Sequence, residues 1–159
     1  MRFQKIKVTK DKKIHLEYGI ENSKGGWDEY SLSCSDEAKP EFGIAMLALA
    51  QDVIEMCELP DDYLNRIAVR GISLSYGGEN QVMGAVIVAQ MSLHKSNIPL
   101  NLNTPHKPSE PYSDGSDESQ LLDPKCVDRI MDLVAEGEDY AKGVRAQGNL
   151  FMMPENKND

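Results

Sequence analysis

The run from Val82 to Leu93 constrains this fold more than any other stretch of the chain. Its centre, Ala85-Val86-Ile87-Val88-Ala89, is apolar on both parities, whereas a strand with one wet face alternates apolar and polar residues. Such a stretch predicts a strand in the middle of a sheet. The segment before it supplies a partner. Ile67 and Val69 hold one parity, but Ile72, Leu74 and Tyr76 hold the other, so the alternation slips at Arg70-Gly71. One extra residue there, a β-bulge, returns all of them to one face. Gly77-Gly78-Glu79-Asn80 then links the two strands through residues that tolerate positive φ.

Around this pair, strands and helices come in blocks. Ile6 and Val8 alternate with lysines, Lys10-Asp11-Lys12 is a polar turn, and Ile14, Leu16, Tyr18 and Ile20 alternate with His15, Glu17 and Gly19, predicting a hairpin. Tyr30 and Leu32, within Trp27 to Cys34, predict a third strand with Trp27 at the sheet margin. Phe42, Met46, Leu49, Val53, Ile54 and Cys57 recur at helical steps and predict one long helix over about 40–58, capped by Ser35 or Asp36 with Pro40 in its first turn. Ile98, Leu100 and Leu102 alternate in a last strand. Residues 103–119 are polar, with several prolines, and read as an irregular loop. Asp123-Pro124 starts a second helix, within about 120–143, that stops at Gly143. The expected organisation is an α+β core at 1–102, the loop, the carboxy-terminal helix and a tail at 144–159. The class is α+β: a mainly antiparallel sheet of about six strands with one long helix packed on it.

A chain of 159 residues makes one domain with a sizeable core. Cys34, Cys57 and Cys126 are an odd number at wide spacings, which fits neither a disulfide framework nor a zinc site and points to free thiols in a reducing cytosol. Met1 to Lys13 has no apolar signal-peptide core, and no stretch approaches the ~18 apolar residues of a membrane span. A cytoplasmic protein with no membrane partner is expected.

The net charge of −9 conceals an asymmetry, because Arg2, Lys5, Lys7, Lys10, Lys12 and Lys13 stand against Asp11 alone within residues 1–13. A basic hairpin either faces phosphate or discourages pairing at a sheet edge. Arg66 and Arg70 extend the basic set, and His106, between Pro105 and Pro108, is a loop residue of the kind that holds an anion. Lys5, Lys7, Lys10, Lys12, Lys13, Arg66, Arg70 and His106 are therefore the candidates for contact with nucleic acid or another anion.

Catalytic chemistry has no comparable signal. The chain has no Walker phosphate loop, no dinucleotide glycine fingerprint, no His-Glu-x-x-His and no Cys-x-x-Cys. Ser73 to Gly78 has glycines that a hairpin turn explains, with no helix start behind them to aim amides at phosphate. Asp61-Asp62 and the acids from Asp114 to Glu118 lack the spacing of a calcium loop. No catalytic residue, metal or cofactor is assigned, and a binding protein is expected rather than an enzyme.

The sharpest motif lies in the tail. Gln147-Gly148-Asn149-Leu150-Phe151 fits Gln-x-x-Leu-Phe and resembles the linear pattern by which many bacterial replication and repair proteins dock on the DNA polymerase sliding clamp. Leu150 and Phe151 stand together among Gly, Asn, Glu, Lys and Asp, so nothing local covers them. Burying each is worth ~1.5–3 kcal/mol, and with hydrogen bonds from Gln147 the pair can sustain micromolar docking, ~8 kcal/mol after ordering costs. The same pair can also be buried on its own domain.

Arg70-Gly71-Ile72-Ser73-Leu74-Ser75-Tyr76, Pro99-Leu100-Asn101, Asn103-Thr104-Pro105-His106-Lys107-Pro108 and Arg145 to Phe151 together resemble a group of small uncharacterised proteins of tailed phages and prophages. The resemblance spans most of the chain and implies a bacterial host cytoplasm and phage DNA metabolism, without an activity. Two functions follow as expectations. One is a non-enzymatic accessory of replication or recombination, tethered to the host clamp by Gln147, Leu150 and Phe151 and touching DNA through the basic hairpin. The other is a small-ligand-binding or host-defence-countering protein, in which the sheet, the loop at 103–119 and His106 enclose an anion and the tail is structural.

Overall fold

The computed structural model describes residues 1–112 and 117–146. The chain runs β1 (Arg2–Val8), β2 (Ile14–Glu21), β3 (Trp27–Cys34), α1 (Pro40–Leu47), α2 (Ala50–Met56), β4 (Ile67–Gly77), β5 (Val82–Met91), β6 (Leu100–Asn103), β7 (Lys107–Pro108) and α3 (Pro124–Ala141). The strands form one sheet in the order β3-β2-β1-β4-β5-β6, with β7 also on β5, and all pairs are antiparallel. The fold is α+β, as the patterning predicts.

The bulge falls where the parity slips. Val69 pairs with Ala89 and Gly71 with Val88, so Arg70 is the extra residue of β4. Ile67, Val69, Ile72 and Leu74 consequently share the buried face with Met91, Ala89, Ile87 and Ala85. A second irregularity, between Phe3 and Lys5, keeps Phe3 and Ile6 on that same face. The helices cover this face, adding Phe42, Met46, Leu49, Val53, Cys126, Ile130, Leu133 and Tyr140 to one core. α3 crosses closely over β1 at Gly137, where a Cβ would lie 2.9 Å from the Ile6 side-chain end.

The other sheet face stays open. β5 has strands on both sides, as its apolar centre predicts, but Val86 and Val88 on its second parity are only half-buried. Trp27 and Tyr30 sit exposed on β3, the sheet margin, with the Trp27 ring packed over Gly19.

Three expectations are corrected. The long helix at 40–58 is two helices separated at Ala48-Leu49, where the Leu49 N–H bonds to the Met46 carbonyl, a tight i→i−3 turn. Leu49 stays fully buried through the break, so the apolar stripe keeps its phase. Ser35 and Asp36 do not cap α1, whose cap residue is Lys39. The Asp36 carbonyl instead accepts the Tyr140 hydroxyl at 2.6 Å. The region 103–119 is also less irregular than its composition suggests, since it holds the end of β6, all of β7 and the start of a 3₁₀ turn at Glu118–Gln120.

Between β6 and β7 the ladder survives through a side chain. Thr104 is buried, its N–H bonds to the Ile87 carbonyl at 3.0 Å, and its Oγ1 accepts the Ile87 N–H at 2.9 Å. Pro105 follows, with no N–H to continue the ladder. Thr104→Val strands the Ile87 N–H in the core, at a cost of ~1–3 kcal/mol. A melting curve should show a fall of roughly 3–10 °C, and an unchanged midpoint would mean that the side-chain bridge is dispensable.

Candidate functional site

Three local facts open a basic hollow on the uncovered sheet face. β1 pairs with β4 at Lys5↔Ser73, Ile6↔Ile72 and Lys7↔Gly71, and the pairing ends there. The hairpin turn from Thr9 to Lys13 follows, with Lys12 held at φ 63. Gly71, between Lys7 and Val88 in the same row, contributes no side chain. The resulting hollow of about 630 Å³ is lined by Lys7, Lys10, Lys12 and Arg70 on its walls, with Gln90, Asn101 and Asn103 beside them and no carboxylate in the lining.

Arg70 and Gln90 also line a shallower hollow of about 260 Å³, which contains Arg66 and Ser92 and again no acid. Arg66 donates from Nε to the Ser92 carbonyl at 2.9 Å, and its guanidinium lies 4.5 Å from the Tyr63 ring centre. Within the shared wall, Arg70 Nε donates to Gln90 Oε1 at 3.1 Å and Gln90 Nε2 donates to Asn101 Oδ1 at 3.2 Å. This relay fixes the amide orientations. Among the described residues no carboxylate lies within ion-pair distance of Lys7, Lys10, Lys12, Arg66 or Arg70.

The other predicted anion contacts are placed elsewhere. Lys13 lies 4.0 Å from the Asp11 carboxylate, which the Thr9 hydroxyl holds below the usual carboxylate range. Lys5 is opposite Glu17, whose carboxyl is held low chiefly by the His15 ring at 2.8 Å and then by Lys5 and Lys7. His106 lies over Gly84 with Nε2 2.8 Å from the Ser75 hydroxyl, in a different row from Lys7. A hollow of about 580 Å³ beside the start of α3 takes in Lys107 and Ser109, but Asp52, Glu55, Glu118 and Asp123 outnumber that lysine. Its charge is wrong for the anion of the small-ligand expectation.

Gln90, Asn101 and Asn103 were not among the sequence candidates. Their signal was faint: Gln90 is the one polar residue of β5, and the two asparagines occupy the polar parity of β6. They become neighbours only once the β5–β6 register, Gln90↔Asn101 and Val88↔Asn103, is known.

One hydrogen-bonded row has the composition of a catalytic set. His15 Nδ1 lies 2.6 Å from the Ser33 hydroxyl and Nε2 lies 2.8 Å from Glu17. It lies across β2 and the edge strand β3, on the sheet surface. Among the described residues no group of His, Cys, Asp or Glu is placed to hold a metal ion, and no helix is long and apolar enough to cross a membrane.

The second candidate concerns how the chain leaves the domain. Gly143, at φ +102, ends α3, and the Val144 N–H returns to the Asp139 carbonyl at 3.0 Å. The Arg145 guanidinium lies 3.6 Å above the Tyr140 ring, donates to the Tyr140 carbonyl at 2.6 Å and sits 3.5 Å from the Asp36 carboxylate. The Ala146 N–H then donates to the Glu37 carbonyl at 2.9 Å. Gln147, Leu150 and Phe151 lie outside the described residues, and Gln147 directly follows this anchor.

No known protein family, curated protein or solved structure matches the chain.

Proposed function

We propose that this protein is a non-enzymatic accessory of DNA replication or recombination, of the phage or prophage kind that its sequence resembles, and that it docks on the bacterial sliding clamp through Gln147, Leu150 and Phe151. The anchor at Arg145 and Ala146 carries the reading. It fastens the chain to the domain by a stacked guanidinium, an ion pair and a backbone bond immediately before the motif begins. The buried core of the described residues is assembled from the sheet and the three helices. Leu150 and Phe151 are then the anchors of a linear docking segment, and Gln147 its orienting hydrogen-bonding group. A tether of this kind raises local concentration at the clamp without a large interface.

Calorimetric titration of the full chain into purified bacterial clamp tests this. The expected result is micromolar binding that Leu150→Ala/Phe151→Ala weakens by about a hundredfold or more, from the loss of ~3–6 kcal/mol of apolar burial, while the melting temperature stays put. Absence of binding, or a variant that melts several degrees lower, would place the pair in this protein's own core.

A further inference from the structure

We infer that the basic hollow and its shallower neighbour form a binding track for a single strand of nucleic acid, a role separate from the tail. The two hollows share Arg70 and Gln90, so the cations run without interruption from Lys10 and Lys12 on the hairpin turn, past Lys7 and Arg70, to Arg66. In a chain of net charge −9, such a carboxylate-free run is a local exception. Two acids lie close by: Glu17, beside Lys5 and Lys7 and bonded to His15, and Asp11, between Lys10 and Lys12 in the turn, which is engaged by the Thr9 hydroxyl and Lys13.

Depth and lining chemistry select the strand. A hollow of about 630 Å³ accommodates about a nucleotide or two, whereas a duplex meets a protein through a groove or a convex rod face. Gln90, Asn101 and Asn103 present amide donors and acceptors on the side of the track away from the lysines. A base splayed from a single strand offers its pairing edge to such groups, while a duplex hides it. Arg70 holds Gln90 with Nε, which leaves its outer guanidinium nitrogens for a phosphate. Lys7, Lys10, Lys12, Arg70 and Arg66 take backbone phosphates, and the amides meet base edges.

The test is fluorescence anisotropy of a short labelled oligothymidylate with the full chain. If three or four phosphates are neutralised, affinity should fall about 20- to 50-fold between about 50 and about 200 mM salt. Lys10→Glu/Lys12→Glu, both exposed turn positions, should weaken binding at least tenfold and flatten the salt dependence without moving the melting temperature. Gln90→Ala/Asn101→Ala should weaken binding while leaving the salt dependence unchanged. Equal affinity for a duplex of the same length, or for thymidine monophosphate alone, would overturn the single-strand assignment. Binding indifferent to the Lys10/Lys12 reversal would overturn the site. Neither result bears on clamp binding, which is read separately.

Discussion

Gly71→Ala is expected to lower the melting temperature by roughly 10 °C or to prevent folding altogether. A Cβ at this position would lie 2.6 Å from Lys7 Cβ and 2.8 Å from Lys7 Cα, and would meet the Ile6 carbonyl oxygen as well. These are main-chain and near-main-chain atoms of β1, so no rotamer change relieves them. Either β1 moves away from β4, surrendering the Lys5↔Ser73, Ile6↔Ile72 and Lys7↔Gly71 pairs, or the bulge at Arg70 is forced out of register. Ile6 and Ile72 are fully buried in that contact. Overpacking into a rigid site costs ~1–3 kcal/mol and occasionally more, and the backbone here puts the cost at the upper end; at this chain length ~3 kcal/mol corresponds to roughly 6–12 °C. A variant melting within about 2 °C of the wild type would mean that the strands do not approach as described.

Arg129→Ala should be comparably damaging for an electrostatic reason. Asp52 is 2% exposed, on α2, and Arg129 on α3 grips both its oxygens, Nε to Oδ2 at 2.8 Å and Nη2 to Oδ1 at 2.7 Å. The carboxylate keeps the Arg129 guanidinium charged, and the Cys126 thiol beside it is pushed up to about 12, first by burial and then by the Asp52 charge. Cys126 therefore stays a neutral thiol, and Arg129 is the charge that offsets Asp52. Removing Arg129 strands a carboxylate in the core, for which ~3–5 kcal/mol is the expected penalty. Chemical denaturation of the variant beside the wild type should show this gap. Asp52→Leu/Arg129→Met, which removes both charges, should recover most of the loss. No recovery in the double variant would remove the ion pair from the account.

The sheet was legible because its irregularities disturb a period of two. At Arg70-Gly71 the change of parity can be seen in the residues themselves, and the bulge follows from the need for one apolar face. The split between α1 and α2 left no such trace, since Leu49 continues the Phe42–Met46–Val53 stripe through the tight turn. The Asp52–Arg129 pair was hidden for another reason: its partners lie 77 residues apart on different helices, and each alone looks like an ordinary helical charge. The basic track was half legible. Lysines at alternate positions of the hairpin were conspicuous, but which of them meet depends on where β1 parts from β4 and on β5 lying between β4 and β6. Lys5, Lys13 and His106 fall outside the hollow that Lys7, Lys10, Lys12 and Arg70 line, and the β5–β6 pairing brings in the amides of Gln90, Asn101 and Asn103.

The central claim, that the tail is a docking segment for the clamp, is tested most directly by comparing the full chain with a synthetic peptide of residues 144–159 in titrations against the same clamp preparation. If the docking energy resides in Gln147, Leu150 and Phe151, the peptide binds with a Kd within a few-fold of the full chain, and its Leu150→Ala/Phe151→Ala version does not bind. A peptide that fails to bind, whether or not the full chain does, would contradict the claim.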